Sequence, residues 1–161
     1  MTHSVVVITL DFSEAFDTLR HSTLMHKMAF MNIPDDVYSW LVAIFFSGHS
    51  HCTRFCGSTC GQLDISASIT KGSATGPASY VVNAADLTTV IAGNLMFKYA
   101  DDMYIVIPAV DADSRSAELD HVERWAQNNN FRLNRAKSPE IMFTNCKRKH
   151  ACLHRCRTFA A

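Results

Sequence analysis

The segment Met96-Phe97-Lys98-Tyr99-Ala100-Asp101-Asp102-Met103-Tyr104-Ile105-Val106-Ile107 sets two adjacent acids between two apolar, aromatic-rich runs. Met96–Ala100 and Met103–Ile107 read as short strands joined by a tight hairpin at the acids. Far upstream, Val5–Leu10 is β-branched and apolar on both faces, the pattern of a fully buried strand, and it runs directly into Asp11. Carboxylates beside such strands are costly to desolvate unless a cation compensates them. If strand and hairpin are sheet neighbours, three carboxylates meet at one edge, a hard-oxygen set suited to Mg²⁺. Two such ions about 3.5–4 Å apart would clamp the attacking and leaving oxygens of an in-line phosphoryl displacement. The residues alone leave a second reading open: a solvated Asp-Asp turn and an unrelated Asp at a strand end.

Outward from these points the chain alternates helices and short strands. Ser22 is placed to cap a helix carrying Leu24, Met25, Met28 and Met31. Pro34-Asp35-Asp36 opens another with Val37, Trp40, Leu41, Ile44 and Phe45 as a core stripe, closed by Gly48. His49, His51, Arg54 and Gly57-Ser58-Thr59 read as a polar hairpin tip between two short strands, the second over Gln62–Ile69. A glycine-punctuated turn from Lys71 to Pro77 precedes a helix to about Val90, in which Asn83 is given a structural hydrogen bond. An amphipathic helix over Ala112–Asn128 directs Leu119, Val122 and Trp125 inward, and a β-unit spans Phe131–Phe143. Tyr99 is expected to support its hairpin by packing, Asp17 to act as a helix cap, and most histidines to lie at the surface. This order predicts an α+β fold, an antiparallel sheet with helices packed on one face.

The chain has 161 residues, of which 48% are hydrophobic and 19% charged. That is apolar enough for a real core and excludes disordered or disulfide-scaffold classes. No apolar run approaches the ~18 residues that cross a bilayer, so no membrane partner is expected. The first apolar stretch lacks a preceding basic region, so the expected location is intracellular, with nucleus or cytoplasm left open. Fifteen basic and fifteen acidic residues cancel overall. Five of the basic ones, Lys147, Arg148, Lys149, Arg155 and Arg157, fall in the last fifteen residues, leaving ten against fifteen before them, a net of minus five. An acidic body is not the footprint of a complete nucleic-acid enzyme. Residues 146–161 are expected to form a poorly ordered basic Cys/His/Arg tail behind a 1–145 domain. The six cysteines, at 52, 56, 60, 146, 152 and 156, match no common zinc spacing and read as reduced thiols.

Four ordered stretches go further: LDFSEAFD around Asp11, KGSATGP around Gly72, KYADDMYIV around Asp101 and FRLNRAKS near Lys137. In this order and at these separations they resemble motifs A, B, C and D of a reverse transcriptase palm, of the non-LTR (LINE-type) retrotransposon kind. The resemblance implies that Asp11, Asp101 and Asp102 hold two Mg²⁺ ions, for which Mn²⁺ can substitute, with the backbone carbonyl of Phe12 as a further ligand. It implies that Phe16 is an aromatic gate beneath the incoming sugar, where a flat ring leaves no room for a ribose 2′-OH. Gly72 and Ser73 would approach the nucleotide and template, and Lys137 would protonate the departing pyrophosphate. The implied partners are an RNA template, a DNA primer and deoxynucleoside triphosphates.

The pattern is broken at two positions. Lys71 stands where the family usually carries glutamine, and Glu14 where lysine is frequent; a cation cannot reproduce an amide's two-way hydrogen bonding. Fingers and thumb, the basic surfaces that grip nucleic acid, are expected to be largely missing, so the chain alone should be weak or inactive. Two alternatives remain: a non-catalytic remnant or domesticated fold that binds nucleic acid or protein, and another two-metal enzyme such as a nucleotide cyclase.

Overall fold

A computed structural model describes residues 4–69 and 72–144, and the backbone of 153–157. The strands are β1 (Ser4–Leu10), β2 (Phe12–Ser13), β3 (Ser50–His51), β4 (Arg54–Phe55), β5 (Ser58–Thr59), β6 (Leu63–Asp64), β7 (Leu95–Tyr99), β8 (Asp102–Pro108), β9 (Arg132–Leu133), β10 (Glu140–Thr144) and β11 (Leu153–Arg157). The helices are α1 (Ala15–Thr18), α2 (His21–Ala29), α3 (Asp35–Leu41), α4 (Thr75–Asn83) and α5 (Arg115–Asn128). Two compact units result, one built from residues up to 15 and from 84 onward, the other from Phe16–Asn83.

The first unit carries an antiparallel sheet of order β11-β10-β1-β8-β7, the expected α+β arrangement. Register aligns Val6 with Ile107, Ile8 with Ile105 and Leu10 with Met103, and all six are buried. Strict period-two alternation turns this set to the core. Val5, Val7 and Thr9 remain half-buried, so β1 is buried on one face and not on both. Helix α5 adds Val122, Trp125 and Ala126 to the core.

Leu119, expected inward, is half-buried, and its neighbour Glu118 is the fully buried residue. The Glu118 carboxylate accepts the backbone N–H of Val90 at 2.9 Å, that of Ile91 at 2.9 Å and the Asn94 side-chain amide at 2.7 Å. A buried carboxylate is tolerable when donors surround it in this way. These bonds fix the loop that enters β7.

The β-unit expected over Phe131–Phe143 is interrupted. Its start, β9, pairs with β2, and its end, β10, pairs with β1. The 3-10 turn Arg135–Lys137 between them is capped by Asn134, whose side chain accepts the Lys137 N–H. Of the tail expected to lack order, Leu153–Arg157 pair with β10 as an edge strand. The rest of the tail, and Lys71, lie outside the described residues.

In the second unit, α2 and α4 bury Leu24, Met28 and Tyr80 together with Leu19, Phe46 and Ile69. The Val37, Trp40 and Ile44 stripe does not form core: these side chains are 45%, 55% and 51% exposed. Helix α3 buries none of its residues, and only Phe46, at the end of the π-helical turn Val42–Phe46, reaches the interior. His21 departs from the surface expectation. It is buried, with Nε2 2.7 Å from the Ser68 carbonyl oxygen and its ring edge-on to Phe46.

The hairpin tip is narrower than expected: His51, Arg54, Ser58 and Thr59 lie in strands, and Cys56 and Gly57, at φ of 48° and 80°, alone turn between β4 and β5, the left-handed pair that suits a two-residue turn. The strand expected over Gln62–Ile69 shrinks to β6, and α4 ends at Asn83, short of Val90. Asn83 is fully buried, but its side-chain amide has no hydrogen-bond partner among the described residues. Asp17 lies inside α1 instead of capping it. Cys52, Cys56 and Cys60 are exposed free thiols. Among the described residues no helix is long and apolar enough to cross a membrane.

Candidate active site at the end of the central strand

Strand pairing puts two of the predicted acids next to the same residue pair. The last paired residues of β1 and β8 are Leu10 and Met103. One step beyond them stand Asp11 on one strand and Asp102 on the other. The alternation that turns Leu10 and Met103 inward sets both acids toward the open face. Asp11 is half-buried, whereas Asp101 and Asp102 are exposed. The β7–β8 hairpin closes from Tyr99 to Asp102 through only Ala100 and Asp101. Ala100 adopts φ 52°, a left-handed conformation that a β-carbon resists, so the turn bearing Asp101 is strained and held by the flanking strands. Tyr99 does not pack beneath this hairpin as expected, since it is 81% exposed.

Asp11 is fastened from the chain's other end. Its N–H donates to Ser138 Oγ at 3.1 Å, and its carbonyl accepts the Asn134 N–H at 2.8 Å. Behind it, Phe12 packs against Trp125 and Phe131 with ring centroids 5.9 and 5.8 Å away. Aromatic contacts of this kind hold a strand end firmly. Lys137 is exposed at the end of the same 134–138 turn. Asn134 and Ser138 both lie within FRLNRAKS, where the motif resemblance assigns a role only to Lys137. Asn134 is a legible N-cap residue, but the Ser138 bond spans 127 residues and has no local signature.

The remaining expected residues lie in the second unit. Phe16 is half-buried in α1, its ring stacked on Tyr80 at 5.2 Å. Gly72 sits at φ 84°, and a β-carbon there would meet nothing within 4 Å. Its glycine is therefore required by backbone conformation, not by crowding. Ser73 Oγ accepts the Gly76 N–H at 3.1 Å and stands 3.2 Å from Thr75 Oγ1, capping the first turn of α4. Glu14 is exposed, at φ 53°.

Three carboxylates at one strand end are hard donors of the right type for a divalent cation. Among the described residues, however, no three His, Cys, Asp or Glu side chains are gathered closely enough to hold one.

Residues 1–152 match the family model described as reverse transcriptase (RNA-dependent DNA polymerase). The chain belongs to the reverse transcriptase family. Among curated relatives, the RNA-directed DNA polymerase from mobile element jockey of Drosophila funebris is 28% identical over 150 residues, covering 86% of this chain and 16% of the relative. Its counterpart from Drosophila melanogaster is 29% identical over 147 residues, covering 84% and 16%. The probable RNA-directed DNA polymerase from transposon X-element of Drosophila melanogaster is 25% identical, again over 16% of its length. These agree with the LINE-type resemblance carried by the four motifs. The chain thus spans about a sixth of these reverse transcriptases (16%).

Among solved structures, telomerase from Candida tropicalis in complex with a telomeric RNA fragment superposes with a TM-score of 0.65 at 11% identity, covering 92% of this chain and 27% of the telomerase. The apo telomerase truncated from its C-terminal domain gives 0.61 at 14% identity, covering 86% and 31%. Both show the reverse transcriptase fold.

Proposed function

We propose that this chain is the palm portion of an RNA-directed DNA polymerase that adds deoxynucleotides to a DNA primer 3′-hydroxyl on an RNA template. The observation that carries the reading is the β1–β8 register, whose last pair, Leu10 and Met103, directly adjoins Asp11 and Asp102 in sequence. Asp11, Asp101 and Asp102, with the Phe12 carbonyl, would hold two Mg²⁺ ions, or Mn²⁺ in their place. Bound there, such ions neutralise charge developing on the attacking and leaving oxygens of a phosphoryl transfer.

The chain's own residues supply positioning. The Phe12–Trp125–Phe131 cluster holds the strand end that presents Asp11. Lys137 offers an ammonium proton to the departing pyrophosphate, provided the 134–138 turn faces it. In the second unit, the stacked Phe16 presents a flat apolar surface suited to excluding a ribose 2′-OH. Gly72 and Ser73 precede α4, where nucleotide and template would approach. Grip on nucleic acid requires many phosphate contacts. An acidic body spanning 16% of its relatives supplies few of them.

Primer extension on an RNA template with Mg²⁺ or Mn²⁺ tests this directly. The chain alone is expected to give no processive product. Joined to the flanking segments of a jockey-type relative, it is expected to incorporate deoxynucleotides, and Asp101→Asn is expected to abolish that incorporation. Unchanged activity in Asp101→Asn removes the assignment.

One observation favours a second reading, a non-catalytic fold of the same family: the carboxylates are not gathered into a three-ligand set. Under that reading Mn²⁺ does not raise the melting temperature, whereas an ion bound only by the native protein must raise it.

A further inference from the structure

We infer that Ser138 is a positioning residue for Asp11, and that its hydroxyl makes the metal-ligand strand end and the Lys137 turn one rigid piece. The inference rests on the polymerase reading above and deepens it. Ser138 is fully buried although polar, and its single hydroxyl is used twice. Oγ donates its proton to the Asn134 carbonyl at 2.8 Å and accepts the Asp11 N–H at 3.1 Å. Asn134 completes the link by donating its own N–H to the Asp11 carbonyl at 2.8 Å. Both peptide groups flanking the Asp11 α-carbon are therefore held by one five-residue turn. A third bond, from the Thr9 N–H to the Pro139 carbonyl at 3.0 Å, extends the attachment along β1.

Only the side-chain torsions of Asp11 remain free, which is the freedom a ligand needs to close on an ion without moving its strand. Lys137 lies between the two clamping residues, so its backbone is held relative to Asp11 by the same bonds. No other side-chain group meets the Asp11 N–H among the described residues. A hydroxyl is required because the site needs one atom that both donates and accepts. Residues that orient metal ligands through hydrogen bonds commonly control affinity as strongly as some ligands do.

The test compares the full chain as wild type, Ser138→Ala, Ser138→Thr, Asp11→Asn and Asp101→Asn. Mn²⁺ affinity is read by water-proton relaxation, and hydrogen exchange is followed at the Asp11 and Ile105 amides. Ser138→Ala is expected to weaken Mn²⁺ about tenfold and to speed exchange at Asp11 while leaving Ile105 protected. Ser138→Thr, which keeps the hydroxyl, is expected to restore both. A merely structural serine would instead lower protection at both amides together, which overturns the inference. If the carboxylate variants lose Mn²⁺ and Ser138→Ala binds it like wild type, the inference also fails while the polymerase reading stands. If Asp11→Asn and Asp101→Asn bind Mn²⁺ unchanged, the polymerase reading itself fails. Should Ser138→Ala not fold, Ser138→Cys fills the same space with a poor hydrogen-bonding atom and carries the comparison.

Discussion

The two compact units spend their apolar residues differently. In the first, β1 and β8 place six matched side chains in one buried layer, and α5 buries Val122, Trp125 and Ala126. In the second, the strands are two residues long and α3 leaves Val37, Trp40 and Ile44 largely exposed. Long strands with a buried face resist slippage and local opening; short ribbons carried on polar loops do not. The acids expected to carry chemistry stand on the first kind of scaffold, where small errors of position matter most.

That contrast is open to direct attack. Ile105 is fully buried opposite Ile8, so Ile105→Ala should cost about 3–4 kcal/mol in a denaturant melt. A loss under about 1 kcal/mol would mean the sheet is not the stable element. Glu118→Ala strands the Val90 and Ile91 N–H groups and leaves the Asn94 amide only its bond to Ser114, and should cost about 2–3 kcal/mol. Glu118→Gln, which keeps an acceptor oxygen, should cost less. The smallest effect is expected at Trp40, which is 55% exposed. Trp40→Ala should move stability by about 0.5 kcal/mol or less. A cost there matching Ile105→Ala would erase the distinction between the units.

How much was legible follows the same division. The apolar alternation in Val5–Leu10 and Met103–Ile107 announces strands because burial repeats every second residue. Asp11 and the Asp101-Asp102 pair stand out because acids rarely sit at the ends of such runs. Their pairing partners were not legible, since register depends on contacts between residues roughly a hundred positions apart in sequence. The α3 stripe misled for a related reason. Helical spacing at Val37, Trp40 and Ile44 reports an apolar face but not whether anything covers it. Glu118 and Ser138 escaped notice because a polar residue is read as exposed until its partners are known. Both are fully buried, and both bind backbone groups that carry no side-chain signal.

The hairpin between Tyr99 and Asp102 has a consequence of its own. With only Ala100 and Asp101 in the bend, there is no slack to absorb a change of length. Inserting one residue there would force either a bulge or a slip of β7 past β8 that swaps its inward and outward side chains. Lineages of this fold should therefore tolerate substitutions in the bend far more readily than gains or losses of a codon, a bias that saturation and indel libraries can count.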